Sequence, residues 1–298
     1  MEERDRRYRA VRANMEREGL DALIVFGNTG VGGQWNGNFT YLSNYCLIFA
    51  TAVIFFPLEG EPAAFIPGEN QLLDARRAGW IEDMRLSGKP VGDLCAHVKS
   101  INSRGGRIGV SSLAAFPAVA AEEIHSELPG VEFVEASSVV FDAREAKSEE
   151  ELEAARRGAR VADLGWKRSI KVLRPGLSEL EWRAELERVM TAEGADGYFN
   201  MLGAGRSDGE EDVFRGFVVP PTERKFREGD LALLEITPRV DGYWNQVVRL
   251  VSFGDPPGAI REAHDACLDA KRCALEQIRP GETFTSVAEA IGGALERL

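Results

Sequence analysis

Apolar residues in the first half of the chain recur in the short blocks that are typical of a mixed α/β domain. The pattern predicts a helix over residues 5–18 and a buried strand over 20–26. Two further apolar runs, 51–57 and 63–66, are joined by the turn Leu58-Glu59-Gly60-Glu61 and predict a hairpin. Additional helices are expected at 71–77, 93–101 and 114–128, and additional strands at 107–110 and 131–134. This alternation predicts one α/β domain.

The second half begins with a long amphipathic helix. Ser148 and Glu151 have the spacing of a capping box, and apolar residues then recur every three or four positions as far as Leu173. Arg174-Pro175-Gly176 ends this helix, and Ser178, three residues before another Glu, caps the next one. Two successive helices are therefore predicted.

Strands and two more helices are expected in the remaining residues. The strands lie near 213–219, 231–238 and 243–252, and a helix lies over 259–278. Arg279-Pro280-Gly281 ends that helix, and Ser286 with Glu289 is expected to cap the last one. An Arg-Pro-Gly turn after a long helix thus occurs twice, 105 residues apart, and no strands follow the second copy. The repeat indicates either a duplicated domain that is cut off in its second half or chance recurrence of a common helix end.

Composition and charge limit the classes of partner. With 298 residues, 44% of them hydrophobic and 28% charged, the chain is expected to form two globular domains, which we place at residues 1–143 and 144–298. The net charge of −12 argues against a nucleic acid or an anionic membrane as partner, because both require a basic face. The charged N-terminus lacks the apolar segment of a signal peptide, and no apolar run reaches the roughly 18 residues of a spanning helix.

The four cysteines predict a reduced, cytoplasmic protein, because Cys46, Cys95, Cys267 and Cys273 form no CxxC pair. The glycine-rich loop 27–37 is not expected to bind phosphate, because the following residues 38–42 look extended rather than helical.

Two other groups of polar residues are expected to have no catalytic or metal-binding role. The acidic residues Asp208, Glu210, Glu211 and Asp212 are expected to form a solvated turn rather than a cation site. The three histidines, His97, His125 and His264, lie on predicted helices and are expected to have surface or packing roles.

Several motifs, in order along the chain, resemble the family of aminopeptidase P, prolidase and creatinase. The motifs are Asn38-Phe39-Thr40-Tyr41-Leu42-Ser43, Pro57-Leu58-Glu59-Gly60-Glu61-Pro62, Arg144, Lys147-Ser148, Glu151, Gly229-Asp230, Gly242-Tyr243, Arg249 and both Arg-Pro-Gly turns. The resemblance implies an α/β fold with an N-terminal domain of ribonuclease-H-like topology, a C-terminal pita-bread domain that carries the active site, and a homodimer. Members of the family continue into strands that bear a His and two Glu, so we expect this pita-bread domain to be incomplete.

Asp241-Gly242 is a two-residue hairpin turn, and it fixes the pairing of the strands on either side. Pairing outward from it places Thr237 opposite Gln246 and Glu235 opposite Val248. With a period of two, one face then carries Glu235, Thr237, Trp244, Gln246 and Val248. Arg249 lies on the other face.

In the peptidases that the chain resembles, this hairpin carries two metal-binding aspartates, and Glu235 and Gln246 match their positions. Loss of one carboxylate charge beside a dication removes roughly 4 kcal/mol at about 4 Å and intermediate dielectric, or about three decades of affinity. We therefore expect no metal and no other cofactor. Creatinase itself works without metal, but Val218 and Val248 stand where it has a histidine and a glutamate, and valine cannot transfer a proton.

Glu235 remains as the candidate catalytic residue, since a carboxylate desolvated among apolar neighbours can act as a general acid or base. Alternatively, it is a structural Glu that pairs with an Arg or is hydrogen-bonded to Gln246 and Thr237. The expected substrate contacts are Val218, Thr237, Trp244, Gln246, Val248 and Arg249, although a structural ion pair is an alternative role for Arg249.

The sequence therefore favours a metal-independent hydrolase of a C–N bond in a small peptide-like or amidine-like substrate. Two alternatives stay open: a catalytically inactive protein that binds peptides or proteins, and a Xaa-Pro metallopeptidase with degenerate ligands.

Overall fold

The chain folds into two compact units, Met1–Glu153 and Ala154–Leu298, in a computed structural model. The structure describes residues 2–28, 37–48, 51–101, 106–111, 116–207, 213–214 and 216–296. The division between the units falls inside a helix and lies later in the chain than the expected boundary after residue 143. In the part of the chain that is described, no helix is both long enough and apolar enough to cross a membrane.

The first unit is a six-stranded mixed sheet covered by helices. Its elements are α1 Glu2–Glu18, β1 Ala22–Asn28, α2 Gly37–Ser43, β2 Thr51–Pro57, β3 Ala63–Ile66, α3 Glu69–Ala78, β4 Asp83–Leu86, α4 Pro90–Ser100, β5 Arg107–Ser111, α5 Ala118–Glu127, β6 Glu132–Glu135 and α6 Ser137–Glu145. The strand order is β4-β3-β2-β1-β5-β6, with β1, β2 and β3 antiparallel and the outer pairs parallel. The predicted hairpin and the mixed α/β class are confirmed.

Strand β1 is buried on both faces, which explains its continuous run of apolar residues. Leu23 and Val25 lie in a core cluster with residues of α1 and α2. Ile24 and Phe26 lie in a second cluster with residues of α4 and α5. The sheet therefore forms the middle layer of the unit.

The expectation that residues 38–42 are extended is wrong, because they belong to helix α2. Phe39 and Leu42, three positions apart, are both fully buried in the core, and helical spacing places both on one side. The Tyr41 hydroxyl donates to the carbonyl of Ala143 at 2.8 Å, so tertiary contacts fix this short helix. Most of the preceding glycine-rich loop, 29–36, lies outside the described residues.

Helices and short antiparallel strands make up the second unit. Its elements are α7 Glu149–Val172, which begins in the first unit, α8 Glu179–Ala192, β7 Gly197–Tyr198, β8 Met201–Arg206, β9 Asp230–Ile236, β10 Pro238–Val240, β11 Tyr243–Trp244, β12 Val247–Ser252, α9 Gly258–Gln277 and α10 Phe284–Leu295. Two three-stranded sheets have the orders β11-β10-β7 and β12-β9-β8. The side chains of Trp182, Leu186 and Met190 on α8 cluster with Leu234 and Ile236 of β9 to form the core.

The prediction of a strand near residues 213–219 is wrong, and strand β8 was not predicted from the sequence. Around that segment the described residues form only isolated bridges, Val213 with Arg206 and Val219 with Leu202. The two glycines of β8 lower its strand propensity, which hides it from a propensity argument. Gly203 is required there, since a Cβ at this position would overlap the carbonyl oxygen of Phe217.

The helix pair α7–α8 and the pair α9–α10 repeat one spacing along the chain. The first helix of each pair ends, and the second begins, at positions that are 105 residues apart in the chain. Gly176 and Gly281 both have positive φ, 88° and 95°, in the two Arg-Pro-Gly turns. This agreement favours duplication over chance recurrence.

The predicted capping boxes at the starts of α7 and α8 are confirmed, but the expected Ser286 cap is wrong. Thr283 is the N-cap residue of α10, and its hydroxyl accepts a hydrogen bond from the Ser286 backbone N–H at 3.1 Å. Helix α10 therefore begins one turn earlier than expected, with Phe284 as its first residue.

Candidate functional site

The hairpin of β10 and β11 has the predicted turn and register. Asp241 and Gly242 have φ values of 50° and 80°, as a two-residue turn that matches the strand twist requires. Arg239 pairs with Trp244. The same register continues into β9 and β12, where Glu235 pairs with Val248. The predicted pairing is therefore confirmed in both strand pairs.

A short interruption separates β9 from β10 at Thr237. Its backbone N–H donates to the side-chain oxygen of Asn200 at 3.2 Å, and its carbonyl accepts from the N–H of Phe199 at 2.9 Å. Asn200 is buried and replaces the strand partner that Thr237 lacks. Asn200 could not be identified from the sequence, because a single Asn between two strands carries no distinctive pattern.

The two faces of the β8–β9–β12 sheet differ in chemistry. Leu234 and Ile236 point into the apolar core under α8. By alternation, Glu235 lies on the opposite face, together with Gln246 and Val248. Gln246 and Val248 are exposed, whereas Glu235 is only 7% exposed. The same alternation continues through Thr237 to Trp244 of the β10–β11 hairpin, and we call the five residues Glu235, Thr237, Trp244, Gln246 and Val248 the site face.

Glu235 has a single neutral partner in the described part of the chain. Its Oε1 atom accepts a hydrogen bond of 2.7 Å from Nε2 of Gln246. No ion pair to Glu235 occurs among the described residues, and its second carboxylate oxygen keeps its acceptor capacity there. This buried acid is therefore the candidate proton acceptor of the site face.

Thr237 contributes a second polar atom with unused capacity. Its Oγ1 is buried and has no hydrogen-bond partner among the described residues. Such an atom carries a desolvation cost of about 1–3 kcal/mol that a bound hydroxyl, amide or carbonyl group would relieve. Glu235 and Gln246 thus offer acceptor oxygens on the site face, with the buried Thr237 hydroxyl opposite Gln246 in the register.

The remaining predicted contacts divide between the two faces. Val218 is half-buried and adjoins Val219, whose backbone pairs with Leu202 of β8. Arg249 pairs with Leu234 and therefore lies on the core face, where its Nη1 donates to the carbonyl of Val248 at 2.8 Å. A direct contact of Arg249 with a ligand on the site face would require rearrangement.

Two family models together match nearly the whole chain. The creatinase/prolidase N-terminal domain matches residues 7–146, and metallopeptidase family M24 matches residues 153–298. The chain belongs to the creatinase/prolidase superfamily. The implied architecture, an N-terminal domain followed by a domain of pita-bread type, is confirmed.

Similar members of the superfamily include hydrolases and peptidases. An uncharacterized hydrolase/peptidase from Sinorhizobium fredii is 27% identical over 98% of this chain and 76% of its own length. An ectoine hydrolase from Halomonas elongata is 26% identical over 96% of this chain and 75% of its own length. A Xaa-Pro dipeptidase from Bacillus anthracis has the same fold, with a TM-score of 0.81 at 18% identity over 99% of this chain and 78% of that one.

The metal centre that the M24 description implies does not fit the residues of this hairpin. A dimetal site needs anionic oxygen ligands, and Gln246 offers a neutral amide whose N–H group is already directed at Glu235. Across the described ranges, no group of three or more His, Cys, Asp or Glu side chains could hold a metal ion. The acidic residues Asp208, Glu210, Glu211 and Asp212 lie outside those ranges.

Proposed function

We propose that this member of the superfamily is a metal-independent hydrolase of a C–N bond in a small peptide-like or amidine-like molecule. The observation that carries the proposal is the buried Glu235 carboxylate, held by the neutral amide of Gln246 on an accessible sheet face. A short peptide or another small molecule is the expected substrate.

Glu235 suits proton transfer because it lies on the site face without a cation beside it in the described part of the chain. In the proposed reaction, Glu235 takes a proton from the water whose oxygen bonds to the substrate carbon. It then gives that proton to the nitrogen as the C–N bond breaks, which returns the carboxylate to its starting state.

Gln246 has a positioning role in this proposal. Its Nε2 atom fixes one oxygen of Glu235, so the other oxygen points to the substrate in a defined orientation. The hydrogen bond from this neutral amide orients the acid without forming an ion pair with it.

Glu235→Gln in the whole chain tests the assignment. A panel of dipeptides, Xaa-Pro peptides and amidine or ureido compounds is first screened with the chelated wild-type protein. We expect turnover of at least one compound without metal, loss of that turnover in Glu235→Gln, and normal turnover in Glu262→Gln, an exposed control on α9. Unchanged turnover in Glu235→Gln, or stoichiometric Mn, Co or Zn in the active protein, would refute the proposal.

A non-catalytic binding protein is the second candidate function. Val218 and Val248 favour it, because they stand where creatinase, which works without metal, has a histidine and a glutamate. Valine cannot transfer a proton. In that case a peptide binds to the site face, and no compound of the panel yields product. Turnover of any compound that is sensitive to Glu235→Gln excludes this candidate.

We also propose that the protein is a cytoplasmic homodimer that binds neither nucleic acid nor membranes. Sedimentation of the purified chain tests the dimer, and a monomer at micromolar concentration would contradict it.

A further inference from the structure

We propose that Arg239 is a positioning residue that holds the Trp244 ring as an apolar wall of the substrate site. The substrate would then carry an apolar side chain or ring beside the bond that is cleaved at Glu235. This inference rests on the proposed function and specifies its substrate class.

Arg239 and Trp244 form a cross-strand stack. They are directly paired in β10 and β11. The guanidinium carbon of Arg239 lies 5.5 Å from the centroid of the Trp244 ring. A guanidinium over an indole face is held by electrostatic attraction and by dispersion. The stack thus supports one side of the ring.

Asp196 fixes the guanidinium in turn. Nε of Arg239 donates to Oδ1 of Asp196 at 2.5 Å, and Nη2 donates to the Asp196 carbonyl at 3.0 Å. The other carboxylate oxygen of Asp196 accepts from the N–H of Gly242 at 3.1 Å. Asp196 therefore connects the Arg239 side chain to the hairpin turn.

The packing under the stack leaves little freedom for Arg239. Gly197 follows Asp196, and a Cβ at this position would lie 3.2 Å from the guanidinium carbon. That distance is closer than most side chains tolerate, so glycine lets the guanidinium lie flat against the backbone. A fixed Arg239 fixes the orientation of Trp244.

Trp244 nevertheless remains 40% exposed. It precedes Gln246 by two residues, which corresponds to about 7 Å along one face of an extended strand. Thr237, whose Oγ1 is buried and has no hydrogen-bond partner among the described residues, lies opposite Gln246 in the register of the two strands. The polar groups of Gln246 and Thr237 are thus followed, two residues along the strand, by a rigid aromatic surface.

This arrangement of polar and apolar groups favours a small peptide-like ligand that carries an apolar side chain. Its amide or amidine group would meet Glu235, Gln246 and the Thr237 hydroxyl, and its apolar group would cover the free side of the indole. Burial of apolar area against a pre-organised ring stabilises binding without the entropic cost of ordering that ring.

Glycyl-phenylalanine and glycyl-serine provide the test, because they have the same charge and differ in one side chain. Dissociation constants from ligand-observed NMR are expected to favour glycyl-phenylalanine for the wild-type chain. In Arg239→Met this preference should fall by about threefold to tenfold, with Arg239→Lys between the two, while affinity for glycyl-serine stays constant. The fluorescence of Trp244 is obtained by subtracting the spectrum of Trp244→Phe. Quenching of this fluorescence by iodide should be greater in Arg239→Met than in the wild-type chain.

Arg157→Met is the matched control, since Arg157 makes an ion pair with Asp241 of the same hairpin but does not support the ring. It should leave the preference and the quenching unchanged. An equal effect in both methionine variants, or no preference in the wild-type chain, overturns the inference. If Arg239→Met fails to fold, Trp244→Leu must lower the preference, and a retained preference overturns the inference.

The outcomes separate this inference from the proposed function. Selective dipeptide binding without product from any compound supports the apolar wall and refutes the hydrolase. Turnover that requires Glu235 but is indifferent to Arg239 and Trp244 supports the hydrolase and refutes the wall.

Discussion

Glu151 and Glu235 are both buried, yet they have opposite kinds of surroundings. Glu151, 2% exposed, accepts hydrogen bonds from the Ser148 N–H at 3.0 Å and from Nη2 of Arg6 at 2.7 Å. Glu235, 7% exposed, accepts a hydrogen bond from the neutral Gln246 amide alone within the described residues. A buried carboxylate that only stabilises the fold is expected to have a cation and backbone donors. No such cation faces Glu235 among the residues that the structure describes, which favours a role in chemistry.

Replacement of Glu151 should have the largest effect on stability. Glu151→Ala removes the carboxylate opposite Arg6, which is one-third exposed, and Arg7, which is buried. We expect the free energy of unfolding to fall by about 3 kcal/mol, because Arg6 and Arg7 each lose one of their two carboxylate partners and the Ser148 N–H loses its acceptor. Urea denaturation measures this change. A loss below about 1 kcal/mol would show that Glu151 is not an important stabilising acid of the fold.

The neighbouring Glu3 should make the same cluster sensitive to acid. Burial acts to raise its pKa, but hydrogen bonds from Arg6 and Arg7 outweigh burial and lower the pKa from 4.5 to about 2. The stabilisation, about 2 kcal/mol, is present above pH 4.5 and is lost as the pH falls toward 2. Unfolding measured against pH should show this loss in the wild-type chain and much less of it in Glu3→Gln.

The capping residue before Glu151 should contribute a smaller amount. The hydroxyl of Ser148 accepts from the Glu151 N–H at 3.2 Å, so Ser148→Ala removes one half of the capping box. We expect a loss of about 1 kcal/mol in the free energy of unfolding. Addition of Ser148→Ala to Glu151→Ala should still cost most of this amount, since the Ser148 hydroxyl bonds to a backbone N–H that Glu151→Ala keeps.

Glu235→Gln should have the smallest effect on stability and the largest effect on turnover. The amide keeps the shape of the side chain and removes a buried charge, so the free energy of unfolding should change by less than about 1 kcal/mol. Thermal unfolding beside the turnover assay measures both quantities. A destabilisation as large as that of Glu151→Ala would mean that Glu235, too, is a structural acid.

Elements whose geometry depends on neighbouring residues, such as a hairpin turn or a helix cap, could be predicted from the sequence. Asp241-Gly242 fixed the register that brings Glu235 opposite Val248, because a two-residue turn leaves one way to pair the strands. Ser148 and Glu151 are three residues apart and form the expected capping box.

Features that depend on distant residues could not be predicted in this way. Gly203 is required by the carbonyl of Phe217, fourteen residues later in the chain. The support of Arg239 by Asp196 joins residues 43 positions apart, and neither residue belongs to a recognisable motif.

The close approach of the Phe217 carbonyl oxygen to Gly203 also limits which natural variants of this protein can fold normally. Because a methyl group at that position would collide with a main-chain oxygen, even the mildest missense change there must displace the segment that carries Val218. Neighbouring Ala204, with its side chain already accommodated, has no such restriction. Among natural copies of the gene, the codon for Gly203 should therefore tolerate only synonymous changes.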